Sequence, residues 1–254
     1  MSLAPAPSPP ARGAAAHPGA TDDPRARPVR ARAGAATASL AIATAALAAA
    51  AAVAALAPGQ VRAQADESSD MVEMRLGALE YALGRPDAPL TVVEFTDYQC
   101  PYCRRFQAES WPRLRHDWID TGKLRFIVRD LPLEIHSAAR PAAEAAHCAG
   151  EQGRFWRMHD LLLGVQADLS PKGIDGYARA AGLDMTRFHA CVAAHKYSAD
   201  IARNIAEADR LGLSGTPSFI VGRTVNGVLT GERVSGALPY QDFNAGLNAL
   251  LTGG

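Results

Sequence analysis

Residues 90 to 103 read Leu90-Thr91-Val92-Val93-Glu94-Phe95-Thr96-Asp97-Tyr98-Gln99-Cys100-Pro101-Tyr102-Cys103. The first seven residues are apolar and β-branched in alternation, which predicts a strand. Pro101 suits the first turn of a helix, where a missing N–H group has no intrahelical partner to lose. Two cysteines three positions apart on that turn face the same way, at a separation that a disulfide can bridge. The segment therefore predicts a strand-to-helix junction that carries redox chemistry.

The two cysteines are expected to have different roles. Cys100 lies at the start of the predicted helix, where free backbone N–H groups and the helix dipole favour an anionic sulfur. We therefore expect Cys100 to be the exposed nucleophile, and Cys103, one turn inside, to be buried and to resolve the mixed disulfide. Glu94 is a candidate base for Cys103, because an inward-facing carboxylate among apolar neighbours has a raised pKa. The alternation equally allows Glu94 to face solvent.

Residues 1–63 differ from the rest of the chain. They contain no aromatic residue and cannot bury a core of their own. Several arginines precede an uncharged apolar stretch over 33–57, and Val61-Arg62-Ala63 offers a cleavage site that would make Gln64 the mature start. This pattern predicts an export signal, with an uncleaved membrane anchor as the alternative, because about 20 apolar residues can span a bilayer. In both cases the folded domain lies outside the cytoplasm, for example in the periplasm.

The order of predicted elements indicates the fold class. Residues 64–89 form a polar entry segment with a short strand over 74–83, and the folded domain covers 90–254. Within it we expect strands over 123–129, 217–221 and 224–230, helices from about 137 to 211, and a closing helix over 240–251. Pro112 should kink the helix that follows the cysteines. This order predicts an α/β thioredoxin fold with an inserted all-helical subdomain.

Composition excludes several classes of partner. Residues 64–254 carry 20 basic and 24 acidic side chains, which does not suggest a nucleic-acid partner. Histidine and cysteine spacings fit no common zinc pattern, so no metal or other cofactor is expected. Export permits disulfides, and the economical interpretation pairs Cys100 with Cys103 and leaves Cys148 for Cys191. Two separate buried thiols at Cys148 and Cys191 are the alternative.

A second informative segment contains Thr216-Pro217. A proline that opens a central strand is poorly tolerated, and a cis peptide bond would explain it. The strand could then present a backbone edge to an extended substrate peptide. An ordinary trans turn before the strand is the alternative.

Four segments in family order carry a resemblance. They are Gly84-Arg85-Pro86-Asp87-Ala88-Pro89, the stretch 94–103 quoted above, Cys148-Ala149-Gly150-Glu151-Gln152-Gly153-Arg154-Phe155-Trp156, and Leu211-Gly212-Leu213-Ser214-Gly215-Thr216-Pro217. From about residue 72 onward the chain resembles the DsbA-like branch of the thioredoxin superfamily, which comprises exported bacterial thiol-disulfide oxidoreductases.

The resemblance implies a set of roles. Pro217 would be cis beside the dithiol, Glu94 would be a buried acid, and Pro101, Tyr102 and Thr216 would tune the dithiol or contact substrate. A second bridge between the remaining cysteines also occurs in some relatives. The implied substrates are reduced or misoxidised exported proteins, and the implied reoxidising partner is a membrane-bound thiol oxidase.

Tyr102 departs from the pattern of the strongly oxidising relatives, which usually carry histidine at this position. An imidazolium there stabilises the thiolate and makes the disulfide a stronger oxidant, and tyrosine cannot supply that charge. Arg104 and Arg105 are candidate compensating cations, or simply a solvated helix face. The expected function is disulfide formation in folding proteins, with a reductase or isomerase, or a non-catalytic chaperone or binding module, as alternatives.

Overall fold

The computed structural model describes residues 71–77, 81–165 and 167–253. The expected export signal or anchor over 1–63 and the start of the entry segment lie outside the described residues. Within these three ranges, no helix combines the length and apolar character needed to cross a membrane.

A mixed sheet forms the centre of the described fold. Its strands are β1 (Met71–Arg75), β2 (Tyr81–Leu83), β3 (Leu90–Thr96), β4 (Leu124–Asp130), β5 (Ser218–Val225) and β6 (Val228–Ser235). They are ordered β1-β6-β5-β3-β4-β2. Strand β3 runs parallel to β4 and antiparallel to β5. All seven residues of β3 are buried, because both faces of this central strand are covered.

Helices flank the sheet and fill the connection between β4 and β5. They are α1 (Pro101–Glu109), α2 (Trp111–Leu114), a π-helical turn (Arg115–Ile119), α3 (Ala139–Gly150), α4 (Phe155–Leu162), α5 (Pro171–Ala180), α6 (Met185–Ala193), α7 (Ser198–Arg210) and α8 (Tyr240–Thr252). Helices α3 to α7 lie between β4 and β5 in the chain and correspond to the insertion expected over about 137–211. Helix α8 matches the expected closing helix.

Two expectations about strands need correction. The single strand expected over 74–83 is instead two short strands, β1 and β2, at opposite edges of the sheet, so the boundary expected at residue 90 is too late. The second strand of the C-terminal hairpin begins at Val228 rather than at residue 224, because Asn226 and Gly227 both have positive φ and form the turn. Near Pro112 the helix is interrupted but not broken: α1 ends at Glu109 and α2 starts at Trp111, while Ser110 between them keeps right-handed helical angles and its N–H donates to the Phe106 carbonyl.

Alternation along β3 sends its side chains into two cores. Leu90 and Val92 belong to the larger core, which also contains both cysteines of the Cys100-Pro101-Tyr102-Cys103 motif. Val93 and Phe95 belong to the smaller core on the opposite face. Glu94 alternates with these two and so lies on the face of the larger core, beneath the dithiol.

Candidate active site

Helix α1 begins at the dithiol because of local chemistry in the sequence. Cys100 is the N-cap residue with extended backbone angles, and Pro101 occupies the first turn. The Cys100 side chain does not cap the helix. Instead, the Asp97 carboxylate accepts hydrogen bonds from the backbone N–H groups of Gln99 at 2.7 Å and Cys100 at 3.1 Å. This arrangement leaves the Cys100 sulfur available for chemistry at the helix start.

The two cysteines are free thiols, and the structure separates their acidities. The pKa of Cys100 is lowered to about 5, chiefly by a hydrogen bond with the Cys103 thiol and also by backbone hydrogen bonds at the start of α1. The pKa of Cys103 is raised well above that of an ordinary thiol, first because burial disfavours its thiolate. The Cys100 thiol is thus the more acidic of the pair and the Cys103 thiol the less acidic.

Cys100 is more enclosed than expected. Its residue exposure is 3%, compared with 0% for Cys103. The expectation of an exposed Cys100 is therefore wrong, because the segment before β5 lies against it. The Cys100 thiol donates a hydrogen bond to the Thr216 carbonyl oxygen at 3.2 Å.

The Thr216–Pro217 peptide bond is cis, and Pro217 directly precedes β5. The Thr216 residue is 8% exposed, and its hydroxyl oxygen is buried without a hydrogen-bond partner. The hydrogen bond from Cys100 to the Thr216 carbonyl therefore brings the two sequence-predicted segments together.

Glu94 faces the protein interior. Its residue exposure is 1%, so the alternative in which it faces solvent is excluded. One carboxylate oxygen, Oε1, has no hydrogen-bond partner, and the nearby Thr96 hydroxyl is likewise unpartnered. Burial raises the pKa of Glu94 to about 8. The negative charge of Glu94 in turn contributes to the raised pKa of Cys103. The pKa of Cys103 therefore depends on whether Glu94 is protonated.

The sequence reasoning missed Asp97 as a site residue. Its second carboxylate oxygen accepts hydrogen bonds from the backbone N–H of Leu133 at 2.8 Å and bonds the His136 ring Nδ1 at 2.8 Å. Its own backbone N–H donates to the Cys103 sulfur at 3.4 Å. The Asp97 carboxylate thus links the dithiol loop, residues 97–100, to the loop that leads into the helical insertion through hydrogen bonds to both. An aspartate three residues before the first cysteine, just ahead of a helix, is the signal that would have found it.

Tyr102 is exposed, at 55%, as is its neighbour Pro101. The Arg105 guanidinium lies over its ring, 5.2 Å from the centroid. Arg104 donates from Nε to the Tyr98 carbonyl at 3.3 Å. Both arginines considered as compensating cations therefore have local partners, and hydrogen bonds rather than these charges lower the pKa of Cys100.

The second pair of cysteines forms a disulfide between Cys148 on α3 and Cys191 on α6. This confirms the predicted pairing and excludes two separate thiols. In the part of the chain that the structure describes, no group of three or more histidine, cysteine, aspartate or glutamate side chains is arranged to hold a metal ion.

A comparison with protein-family models matches residues 79–239 to the family described as thioredoxin. The chain belongs to the thioredoxin family.

Solved structures share its fold. Wolbachia pipientis alpha-DsbA1 matches with a TM-score of 0.63 and 21% identity over 70% of this chain and 93% of that one. BdbD from Bacillus subtilis matches with a TM-score of 0.59 and 21% identity over 68% and 92% of the two chains.

A thioredoxin-like oxidoreductase from Silicibacter pomeroyi has higher identity, 31%, with a TM-score of 0.54 over 66% of this chain and 90% of that one. These findings confirm the predicted fold class, a thioredoxin fold with an inserted helical subdomain like that of the DsbA structures.

Curated relatives with higher identity are much longer proteins. The Na(+)/H(+) antiporter NhaA 1 of Salinispora arenicola is 43% identical over 161 residues, which is 63% of this chain and 24% of the relative. The antiporter NhaA 3 of Salinispora tropica is 39% identical over 189 residues, or 72% and 28%. The chain thus spans about a quarter of the length of these relatives.

Proposed function

We propose that this chain is an exported thiol-disulfide oxidoreductase that introduces disulfides into folding proteins through Cys100 and Cys103. The observation that carries the proposal is the opposite acidity of two adjacent free thiols beside the Thr216–Pro217 segment. A stabilised Cys100 thiolate stabilises the reduced enzyme, and this makes the disulfide form a stronger oxidant.

The reaction proceeds by two exchanges. A substrate thiolate attacks the Cys100 sulfur of the oxidised enzyme, the Cys100–Cys103 bond breaks, and Cys103 leaves as a thiolate. A second substrate thiolate then attacks the substrate sulfur of the mixed disulfide, and Cys100 leaves as a thiolate. The substrate loses two electrons and gains a disulfide, and the enzyme gains the two electrons.

Glu94 is the proposed proton carrier for Cys103. With a pKa of about 8, it is largely protonated at neutral pH and can give a proton to the departing Cys103 thiolate. During reoxidation it takes the proton back, so that Cys103 can attack. Pro217, Thr216, Pro101 and Tyr102 complete the proposed site by lining the approach to Cys100 or tuning it.

The proposed setting is outside the cytoplasm, with residues 1–63 as export signal or anchor. The substrates are reduced or misoxidised exported proteins, and a membrane-bound thiol oxidase restores the disulfide. Ion transport is not part of the proposal, since the antiporter name belongs to relatives of which this chain spans about a quarter.

Tyr102 favours a second candidate, a disulfide reductase or isomerase that uses the same dithiol, because it lacks the cationic imidazole of the strongly oxidising relatives. A non-catalytic chaperone is a further alternative, and it predicts that alanine at both cysteines leaves function intact.

The test is to refold a reduced two-cysteine protein with the oxidised full-length chain and to count the remaining thiols. We expect stoichiometric loss of substrate thiols. If wild type transfers no more disulfide than the Cys100→Ala control does, the proposal is overturned. Equilibration with glutathione assigns the direction, with about −120 mV indicating an oxidase and about −270 mV a reductase.

A further inference from the structure

Thr96 is a buried polar residue beside the dithiol that the proposed mechanism does not use. It is the last residue of β3 and is 1% exposed. Its main chain is held in place, since its carbonyl oxygen accepts a hydrogen bond from the Leu131 N–H at 2.8 Å. Its hydroxyl oxygen, by contrast, is buried without a hydrogen-bond partner. Such a group lowers stability, and valine would have the same shape, so packing alone does not account for the hydroxyl.

Thr96 lies on the same face of β3 as Glu94. Residues two apart on a strand point to the same side of the sheet, and both residues are buried. The Glu94 oxygen Oε1 is likewise buried without a partner. Burial raises the pKa of Glu94, and the Thr96 hydroxyl opposes that rise by favouring the charged carboxylate. The hydroxyl and the carboxyl group are therefore neighbours.

The Cys103 sulfur lies close to the same hydroxyl. It accepts a hydrogen bond from the Asp97 N–H at 3.4 Å, and that N–H belongs to the peptide group that joins Thr96 to Asp97. Burial is the main cause of the raised pKa of Cys103, and the Thr96 hydroxyl opposes it by favouring the thiolate. Glu94 and Cys103 thus share one neighbour, a hydroxyl that can donate one hydrogen bond and accept another.

We propose that the Thr96 hydroxyl relays the proton between Glu94 and Cys103, which makes Thr96 a further catalytic residue of the dithiol. The inference rests on the proposed function. When Cys103 leaves as a thiolate, the Thr96 hydroxyl gives its proton to the Cys103 sulfur and takes one from the Glu94 carboxyl group. The O–H bond of Glu94 breaks, an S–H bond forms on Cys103, and Thr96 ends neutral. During reoxidation both protons move in the opposite direction.

The test isolates the step in which Cys103 must lose its proton. Reduced full-length protein is mixed with excess oxidised glutathione, and the release of reduced glutathione is followed over time. The Cys100 thiolate first attacks the glutathione disulfide, forms a mixed disulfide and releases one glutathione thiolate. Cys103 then gives up its proton, attacks the Cys100 sulfur and releases the second. Only the first phase depends on the concentration of oxidised glutathione, which separates the two.

Thr96→Val removes the hydroxyl and keeps the branched shape of the side chain. At pH 7 we expect it to slow the second phase about tenfold or more, because Glu94 can no longer exchange a proton with Cys103. Thr96→Ser keeps the hydroxyl and should retain a second phase close to that of wild type. A second phase of wild-type rate in Thr96→Val, or a slow one in Thr96→Ser, overturns the inference.

Thr91→Val is the matched control. Thr91 is also buried, at 1%, but it lies near the start of β3, where its hydroxyl accepts a hydrogen bond from the Thr224 hydroxyl at 2.9 Å. Loss of that bond should lower the midpoint of urea unfolding while the second phase keeps its wild-type rate. Thr96→Val should show the reverse pattern, a slow second phase with an undiminished midpoint. Equal slowing in both variants overturns the inference.

A double variant tests whether Thr96 acts through Glu94. If the hydroxyl only relays a proton to and from Glu94, its removal has nothing further to slow once the carboxyl group is gone. Glu94→Gln and Glu94→Gln/Thr96→Val should therefore have the same second phase. Effects that multiply instead overturn the relay. These outcomes leave the proposed function intact, which fails if wild-type Cys100 forms no mixed disulfide with glutathione.

Discussion

The Cys100 thiol donates a hydrogen bond to the Thr216 carbonyl at 3.2 Å, across 116 positions of sequence. The sheet register explains this contact. Phe95 at the end of β3 pairs with Ser218 at the start of β5. The residues just after β3 and just before β5 therefore lie at the same end of this pair of strands. The two segments that the sequence singled out therefore meet because their strands are neighbours.

The acidity of Cys100 can be measured by its reaction with iodoacetamide as a function of pH. We expect Cys100 to react with a midpoint near pH 5 and Cys103 to remain protected, because the pKa of Cys100 is lowered to about 5 and that of Cys103 is raised. In Cys103→Ala the midpoint should rise by about one pH unit or more, since the largest cause of the lowering is the Cys103 thiol. An unchanged midpoint in that variant would contradict this assignment.

Replacing Glu94 should change how stability depends on pH. The pKa of Glu94 in the folded protein is about 8, above its value of 4.5 in an unfolded chain, so the folded state binds its proton more tightly. The contribution of Glu94 to the free energy of unfolding is therefore fully present below pH 4.5, and it is lost as pH rises through 8. The free energy of unfolding of Glu94→Gln should therefore exceed that of wild type by up to about 4 kcal/mol at pH 9 and by little at pH 4. Urea unfolding at both pH values measures the difference.

Glu94→Gln should also slow thiol-disulfide exchange at neutral pH, because the glutamine amide cannot give a proton to Cys103 or take one from it. Glu144→Gln is the matched control, since Glu144 is also buried, at 5%, but pairs with His195 within the helical insertion. That control should leave the exchange rate unchanged. Equal slowing in both variants would assign the effect to general destabilisation.

Asp97 should control the order of the dithiol loop. Asp97→Ala removes the carboxylate acceptor of the partly buried N–H groups of Gln99 and Leu133, which should cost about 2 kcal/mol or more. The Cys100 N–H keeps a hydrogen bond to the Asp97 backbone carbonyl at 3.1 Å. Amide hydrogen exchange at Gln99 and Leu133 should accelerate at least about tenfold. Asp130→Asn is the control, because Asp130 is a buried aspartate paired with His147 at 2.6 Å that makes none of these contacts. Unchanged protection of the Gln99 and Leu133 amides in Asp97→Ala would contradict the role given to the Asp97 carboxylate.

The second disulfide should contribute stability without affecting redox poise. It closes a loop with a sequence separation of 43 residues, which corresponds to about 4 kcal/mol in the chain-entropy model. The double variant Cys148→Ala and Cys191→Ala should lose about this much in denaturant unfolding. Its reduction potential against glutathione should match wild type, and a large shift would assign the bridge a redox role.

Local patterns in the sequence were sufficient for most of the fold. Strand β3, the helix start at Pro101 and the hairpin region follow from alternation and from proline chemistry. The sequence predicts one strand over 74–83 but not its division into β1 and β2, because these short strands are defined by pairing with β6 and β4 rather than by their own pattern.

The site was predictable only in part, for a similar reason. Glu94 could be named from the sequence but not oriented, because whether both faces of β3 are covered depends on the distant helices. The enclosure of Cys100 and the partners of Asp97 also depend on segments more than 30 residues away in sequence, such as Leu133 and Thr216.

Tyr102 provides the final test of the direction of electron flow. An imidazolium at this exposed position would stabilise the Cys100 thiolate and with it the reduced enzyme, so Tyr102→His should raise the reduction potential by about 30 mV or more. Tyr102→Phe is the control, because it keeps the ring beneath Arg105 and adds no charge, and its potential should match wild type. Equilibration with glutathione measures all three proteins. A potential that does not change in Tyr102→His would show that hydrogen bonds to Cys100, rather than the residue between the cysteines, set the oxidising strength of this dithiol.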